Sequence, residues 1–582
     1  MEKNQIIENL NTIAQLMELD GENPFKVRAF LNAARVLESE ARDLSTLVKT
    51  GELSNLQGVG KGLTEAITEM VQKNKSTPLM ELQKKFPEGL VECLKISGLG
   101  PKKLKVLYQE LGIQNVGELE YACKENRLLG LKGFGLKTQE NVLQGIAALK
   151  KFQGRFHLDM AWATANRLVA YLKAQHKGLQ IEVGGSLRRW RETIGDIDLL
   201  IASDNSAEKI IQTFQKVPQL ESVLAAGPTK ASIRLQSSIQ VDLRVVHPEE
   251  FPYALVYFTG NKIHNTALRA RAKDFGLKLN EYGLFKGTKC IPCKTEADVY
   301  AALELQYIPP ELREGLGEIE IAAEHKIPKL IEAKDIQGVF HVHSDWSDGI
   351  NAMEDMQQEA MRLGFCYMGQ SDHSQSATYA GGLNETRVKS QLTKIEGLNK
   401  KTKNFHIFKG VESDILADGS LDYAPKILKQ FDFIIASVHS RFKMTKSQMT
   451  ERILTAIKNP YTRILGHMTG RLLLAREEYE IDIEKIIEEA AKNRVAIEIN
   501  ANPHRLDMDW RFLKKAKTAG VKFFINPDAH STRGLSDTWL GVHIARKGWL
   551  SKEDVINTGS LAVITKYLSN MDPPLPRRMT CT

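Results

Sequence analysis

The chain has 582 residues, 42% of them hydrophobic and 26% charged, and a formal net charge of +8. That length exceeds what one core of roughly 100–200 residues needs, so three or four separately cored domains are expected. No long apolar run and no basic-then-apolar leader occurs, so no membrane contact and a cytoplasmic location are expected, and six scattered cysteines exclude a disulfide framework.

Residues 1–150 read as helical, with apolar residues at helical spacing in Ile6–Leu19 and Ala29–Leu37. One short phrase recurs three times: Leu56-Gln57-Gly58-Val59-Gly60, Ile96-Ser97-Gly98-Leu99-Gly100 and Leu131-Lys132-Gly133-Phe134-Gly135. In each, the apolar residue two places before the first glycine, Leu56, Ile96 or Leu131, is the expected anchor of a turn, and two glycines let backbone approach a ligand closely. The helix that follows presents free N–H groups and the positive end of its dipole, an arrangement suited to phosphate. A single Gly-x-Gly is an ordinary helix connection; three, at spacings of 40 and 35 residues, point to DNA-backbone contact through Gly58, Gly60, Gly98, Gly100, Gly133 and Gly135. The phrase resembles the helix-hairpin-helix motif of sequence-independent DNA binders. Residues 101–200 carry sixteen Lys/Arg against ten Asp/Glu, so part of the positive excess is local to this region.

From about 151 to 315 strands and helices mix, with strand candidates Ile181–Val183, Asp198–Ile201 and Val241–Val246. Gly184-Gly185-Ser186-Leu187-Arg188-Arg189 precedes Gly195-Asp196-Ile197-Asp198. On an extended strand Asp196 and Asp198 share one face, and Asp242 of Val241-Asp242-Leu243-Arg244 is the candidate third carboxylate from a neighbouring strand. Nucleotidyl transfer needs hard oxygen ligands around two divalent ions, and a Gly-Gly-Ser turn cradles phosphate through backbone N–H groups and the Ser186 hydroxyl. Cys290 and Cys293 form one CxxC with no second pair to complete a zinc site.

Together with Tyr257-Phe258-Thr259-Gly260, Asn265 and Arg269, these features resemble family X DNA polymerases across residues 1 to about 315. The resemblance implies a nucleotidyltransferase-type α/β palm with a thumb-like subdomain. By it Asp196, Asp198 and Asp242 bind catalytic Mg²⁺ or Mn²⁺, while Gly185, Ser186, Arg189 and Gly195 hold the incoming triphosphate. Tyr257 and Gly260 lie against the sugar, Asn265 and Arg269 line the nascent base pair and template, and Arg244 is the switch partner of the carboxylates. Lys262 stands where related eukaryotic enzymes have an acidic residue. Members that excise 5′-deoxyribose phosphate use a Schiff-base lysine in the helix after the first hairpin; Ala66 occupies the matching position, so weak or no lyase activity is expected.

Residues 316–335, flanked by Pro309 and Pro310 and acidic from Glu311 to Glu324, read as a linker. From 336 to 575 short apolar strands alternate with helices: Val339–His341, Phe365–Met368, His406–Val411, Phe433–Ala436, Ile464–Gly466, Val495–Ile499 and Phe523–Ile525. That alternation is the pattern of a distorted (β/α) barrel, with 576–582 left as a tail. His341-Val342-His343 with Asp348, Asp372-His373, Glu412, His439, His467, Glu498 with Asn500, and Asp528-Ala529-His530 stand at strand C-terminal ends, which converge on one barrel mouth. Mixed imidazole and carboxylate donors suit Zn²⁺, Mn²⁺ or Fe²⁺. These segments resemble the polymerase-and-histidinol-phosphatase (PHP) superfamily.

By that resemblance His341, His343, Asp348, His373, Glu412, His439, His467, Asp528 and His530 hold up to three Mn²⁺ or Zn²⁺ ions, with Glu412 as the bridge. The fusion with a family X polymerase is that of bacteria and archaea, and the implied protein fills short gaps in DNA and trims 3′ ends in base excision repair. Gapped or primed DNA and dNTPs are the expected partners, and a monomer the expected state. Arg471 and Arg505 are candidates for the substrate phosphate or for structural ion pairs. Two other readings stay open: a template-independent nucleotidyltransferase, and a barrel that is only a metal-stabilised scaffold.

Overall fold

A computed structural model describes residues 3–39, 44–56, 59–96, 99–150, 154–204 and 207–569. It forms two compact units, Met1–Lys150 and Lys151–Thr582. The described residues of the first unit are helical, from Lys3–Asp20 and Pro24–Ser39 to Leu136–Lys150. Ile6, Leu10, Ile13 and Leu16 recur at three- and four-residue spacing and are fully buried, as one face of an amphipathic helix should be. The three glycine phrases build the same turn: Val59 N donates to Leu56 O, Leu99 N to Ile96 O and Phe134 N to Leu131 O. Val59, Leu99 and Phe134, between the glycines, are buried in all three, whereas of the expected anchors Ile96 is buried and Leu56 and Leu131 are only partly so.

The second unit begins with a five-stranded sheet flanked by Leu158–Gln175 and Phe251–Thr259. Asp196–Ala202 runs parallel to Gln240–Val246, and the other pairings are antiparallel. The period of two sets the faces: Ile197, Leu199, Ile201, Val241, Leu243 and Val245 enter the core, so Asp196, Asp198, Gln240, Asp242 and Arg244 share the opposite face. Beyond it, Lys262–Asp274, a three-stranded sheet within Lys278–Cys290 and Glu296–Ala301 make the thumb-like subdomain. Buried Glu296 ties it to the glycine turn, accepting from Arg188 and Arg313 at 2.7 Å each. Burial pushes this carboxyl up, but Arg313 and Arg188 outweigh it and hold it at about 2. Residues 316–335 are packed rather than extended: Glu318–Ala323 is helical, and Ile319, Ala322, Ile327, Leu330 and Ile331 are buried.

Seven parallel strands in sequential order, from Gly338–Val339 to Phe523–Asn526, form the barrel. A bridge between Val342 and Ala529 joins the first strand to the last, so the sheet is nearly closed with seven strands. Phe340, Tyr367, Phe408, Phe433 and Phe524 fill one core, and Gly369 and Gly410 leave the room for the Phe433 ring. At the other end of the seam, fully buried Asn557 donates from Nδ2 to Gly338 O and Ile525 O, at 2.8 Å each, and its Oδ1 accepts from Ile525 N. Asn557→Ala orphans all three backbone groups. The expected cost is about 3 kcal/mol, read as a lower barrel unfolding temperature with faster hydrogen exchange at Gly338–Val339 and Phe523–Asn526; unchanged exchange there would contradict the assigned clamp.

Candidate active sites

The parallel register sets Asp198 directly opposite Asp242, with Asp196 one pleat away on the same face. Like charge and partial burial act on this group. Asp198 is pushed up to about 7, first by burial and then by Asp196 and Asp242, and Asp196 is raised by burial and by Asp242. Gln240 Nε2 donates to both Asp242 oxygens at 3.1 and 3.2 Å. Gly184 N donates to Asp198 O at 2.8 Å, which docks the glycine turn on the carboxylate strand. Gly185 has φ +60°, and a Cβ there would lie 1.9 Å from Asp198 Oδ2, so only glycine leaves the space above this carboxylate. A cavity of about 390 Å³ opens beside it, lined by Gly184, Asp198, Lys230, Ser232, Asp242 and Phe258. Three converging carboxylates with open space above them, Asp196 and Asp198 among them with raised proton affinity, fit divalent cations, which would compete with the proton.

Ser186 lies within the short helix Gly185–Arg188, and Gly195 directly precedes the carboxylate strand. Arg189 donates to Thr259 O and, at 3.3 Å, to Glu314, and so holds the C-terminal end of the helix Phe251–Thr259, capped by Gly260 at φ +70°, against itself. Tyr257, Asn265 and Arg269 line one cavity, and Asn265 Nδ2 donates to Tyr257 O at 2.7 Å. Arg244 lies over the Phe258 ring, 4.7 Å from its centroid, and makes no ion pair with the triad, so the expected switch pairing is not formed. The ring face competes for the guanidinium once Phe258 covers that end of the cavity. Arg155 had no motif to mark it. It is anchored on Thr193 and lies near Gly195, and its charge acts to lower Asp196.

In the first unit Gly60 and Gly100 cap Lys61–Lys73 and Pro101–Leu111, and Gly135 O accepts from Thr138 and Gln139. Nothing lies within 4 Å of a Cβ built on Gly60, Gly100, Gly133 or Gly135, so their backbone is open to a ligand. Gly58 and Gly98 lie outside the described residues, as does the tail 576–582. Ala66 is buried in Lys61–Lys73.

All nine expected donors of the barrel mouth converge. Glu412 is the centre: its Oε1 lies 2.9 Å from His467, 3.2 Å from His439 and 3.3 Å from His341, and its Oε2 3.0 Å from His373 and 3.6 Å from His343. Asp528 Oδ1 is 3.3 Å from both His341 and His343. Asp348 is 3.4 Å from His373 and from His530. Several donors, among them His341 Nε2 and both ring nitrogens of His343 and His373, are buried without a well-formed hydrogen bond. Such orphaned nitrogens, pointed at shared carboxylates, fit metal ions that accept several lone pairs at once; in His343, Asp348, His373 and His530 the donor atoms all lie within 4.8 Å of one another. Burial pushes the Glu412 carboxyl up, but His439, His341 and His373 hold it well below the usual range. Burial pulls His439 down, yet Glu412 and Asp414 raise it to about 9: the site demands positive charge.

A further ring of residues orients these donors. Glu498 accepts from His341 Nδ1 at 2.7 Å, which aims Nε2 into the cluster, and Asp414 does the same for His439 at 2.6 Å. Asp372 points away from the ions' space; it accepts from Ser344 and Ser347 and from Gln370 and Gln391, and so fixes the loop that carries His343 and Asp348. Arg505 Nε lies 3.4 Å from Asp528, at the cluster. Arg471 is instead a strut, holding Arg505 O, Leu506 O, Asp509 and Glu192. Phosphate neutralisation by Arg471 is therefore set aside, since its donors are consumed.

Known proteins match this division. Family models match residues 1–76 as a helix-hairpin-helix domain, 91–148 as a SAM-like helix-hairpin-helix tandem, 254–314 as a DNA polymerase beta thumb and 340–502 as a PHP domain. The PHP match stops short of Asp528 and His530, which the last strand brings to the same cluster. "DNA polymerase/3'-5' exonuclease PolX" of Bacillus subtilis (strain 168) is 41% identical over 577 residues, covering 98% of this chain and 100% of that protein. A probable phosphatase of Thermoanaerobacter sp. (strain X514) is 33% identical over 181 residues, 29% of this chain and 71% of that protein. A probable phosphatase of Caldanaerobacter subterraneus is 30% identical over 179 residues, 29% and 68% respectively.

Because Asp198 sits at about 7, a divalent cation entering the carboxylate face must displace a proton below that pH. Cation affinity is expected to fall as pH drops through 7, approaching roughly tenfold per pH unit. Calorimetric titration of Mg²⁺ in buffers of different ionisation enthalpy should show proton release at pH 6 that is nearly lost at pH 8; Asp198→Asn should abolish the difference.

Proposed function

The chain belongs to the family X DNA polymerases that carry a C-terminal PHP domain, and from this premise we propose that it is a DNA polymerase with 3′-5′ exonuclease activity that fills short gaps and cleans 3′ ends in DNA repair. The observation that carries the reading is the pairing of two separate clusters of metal-ligand type in one chain: Asp196, Asp198 and Asp242 beside the glycine turn, and the six histidines and three carboxylates centred on Glu412. The first suits joining a nucleotide to a 3′ end and the second suits hydrolysing a phosphodiester. Base excision repair in the cytoplasm, on gapped or primed DNA and as a monomer, is the setting proposed. Among the described residues no helix is long and apolar enough to cross a membrane.

In the polymerase site Asp196, Asp198 and Asp242 hold Mg²⁺ or Mn²⁺. The turn Gly185-Ser186 offers backbone N–H groups and a hydroxyl to the triphosphate, with Gly195 contributing backbone ahead of the carboxylate strand and Arg189 and Arg155 as cations. Tyr257 and Gly260 bound the sugar, and a residue bulkier than glycine at 260 would crowd Arg189, since its Cβ would stand 3.1 Å from the guanidinium. Asn265 and Arg269, one helical turn apart on Lys262–Asp274, face the nascent base pair, while Arg244 is stored on Phe258 until the carboxylates need it. The glycine hairpins grip DNA backbone without regard to sequence.

In the barrel His341, His343, Asp348, His373, Glu412, His439, His467, Asp528 and His530 hold up to three ions, Mn²⁺ or Zn²⁺. Divalent ions supply, at either site, a lowered pKa for the attacking oxygen and charge neutralisation on the phosphate. Glu498 and Asp414 keep the ring nitrogens of His341 and His439 aimed inward, and Arg505 offers its guanidinium to the scissile phosphate.

Separate sites require separable losses. On a gapped duplex, Asp198→Ala is expected to lower nucleotide incorporation at least ~10³-fold while 3′ trimming persists; His341→Ala is expected to do the reverse. Loss of both activities in His341→Ala, together with a collapse in thermal stability, would favour a barrel that only supports the polymerase.

A further inference from the structure

One helix of the barrel domain, Thr538–Lys547, reaches the polymerase nucleotide turn. Trp539, His543 and Lys547 recur every four residues, so one face presents all three. His543 stacks on Trp190 with ring centroids 3.4 Å apart and planes at 5°, and Trp539 meets the same indole edge-on at 5.3 Å. Trp190 directly follows Arg189 and has φ +57°, a left-handed conformation that costs a non-glycine residue energy and persists only where surroundings impose it. Here the surroundings are the barrel's His543 and Trp539 and the palm's Trp162.

The third residue completes the contact. Lys547, its side chain fully buried, donates to Arg189 O at 2.8 Å and to Glu314 Oε1. Glu314 is the carboxylate that also binds Arg189 Nε at 3.3 Å, accepts from Asn261 Nδ2 at 3.2 Å and lies 3.6 Å from Arg191. Burial pulls Lys547 down to about 8 against the opposing pull of Glu314, while Lys547, Arg189 and Arg191 together hold the Glu314 carboxyl below its usual range although burial pushes it up.

We infer that Lys547 is a positioning residue for nucleotide binding, supplied to the polymerase by the barrel domain: by sharing Glu314 Oε1 it weakens that carboxylate's hold on Arg189 Nε, so that an incoming triphosphate can compete for the guanidinium. The inference rests on Arg189 as a triphosphate ligand, the reading given under Proposed function. A triphosphate and Glu314 compete for the same cation, and Lys547 sets the balance.

The test is single-nucleotide insertion by the full-length protein on a gapped duplex, with KM for dNTP and kcat measured separately. Lys547→Met keeps the length and apolar stem but removes the charge. It is expected to raise KM about tenfold, the low end for uncoupling a close buried charge pair, with kcat changed less than about threefold and 3′-5′ exonuclease activity retained. Adding Glu314→Gln to Lys547→Met removes the competing carboxylate and is expected to bring KM back towards wild type, an outcome that damaged packing would not give. An unchanged KM in Lys547→Met, or a double variant worse than the single one, would overturn the proposal. Should Lys547→Met fold poorly, Glu314→Gln alone decides: KM equal to or below wild type supports the proposal and a raised KM contradicts it. Arg189→Ala separates the two layers. If it leaves KM unchanged, the nucleotide-turn reading falls and this proposal with it; if it raises KM while Lys547→Met does not, only the proposal falls.

Discussion

Carboxylates drawn together at strand ends, which need positive charge among them, are the constraint on which both sites rest. In the palm the parallel register forces Asp198 against Asp242, with Asp196 alongside, and the proton affinity of Asp198 rises to about 7. In the barrel Asp348, Glu412 and Asp528 are buried under six imidazoles. Neither arrangement is a low-energy way to bury acid unless positive charge enters. The fold bears that cost through its main chain, since registers and seams leave the carboxylates nowhere else to go. Gly185, which has no side chain to fill the space above Asp198, and Glu498 and Asp414, which fix the His341 and His439 rings, keep each site open and aimed.

The palm and the barrel are not beads on a string. One buried apolar cluster runs from Leu158, Ile197 and Val241 to Val411, Ile497 and Leu540, and the segment between the two bodies is itself packed. Arg546 and His543 both bind Glu311, just ahead of that segment; burial pushes its carboxyl up, but the hydrogen bonds from His543 and Arg546 and the Arg546 charge hold it at about 2. Polymerase and phosphodiesterase chemistry are thereby built on one mechanical body, and substitutions at their shared surface are open to affecting nucleotide handling without touching either set of ligands.

Much of this was legible in the sequence because it is local or periodic. Alternating short strands and helices announced the barrel, and placing His, Asp and Glu at strand C-terminal ends was enough to gather all nine donors. The Asp-x-Asp face and the three glycine phrases follow equally from periods of two and from turn chemistry. What stayed hidden depends on pairs hundreds of residues apart. Nothing about Arg155, Glu314 or Lys547 marks it in isolation, and Arg471 resembles a phosphate ligand until Asp509, Glu192 and two carbonyls are seen to consume its donors. Arg244 sits beside the carboxylates in sequence, but the Phe258 ring, fourteen residues on, decides where its guanidinium rests. The segment 316–335 looks like a linker from its prolines and acids, whereas its apolar residues, too sparse to form a pattern, pack it down.

Both clusters, the palm carboxylates and the histidine and carboxylate set of the barrel mouth, exist to hold divalent cations. Anomalous diffraction from crystals of the full-length protein soaked in Mn²⁺ tests this most directly. The expected result is manganese bound around Glu412 by the histidines and by Asp348 and Asp528, and, with DNA and a dNTP present, further manganese among Asp196, Asp198 and Asp242. Crystals with both clusters accessible and no anomalous density at either, or density only at the protein surface, would contradict it.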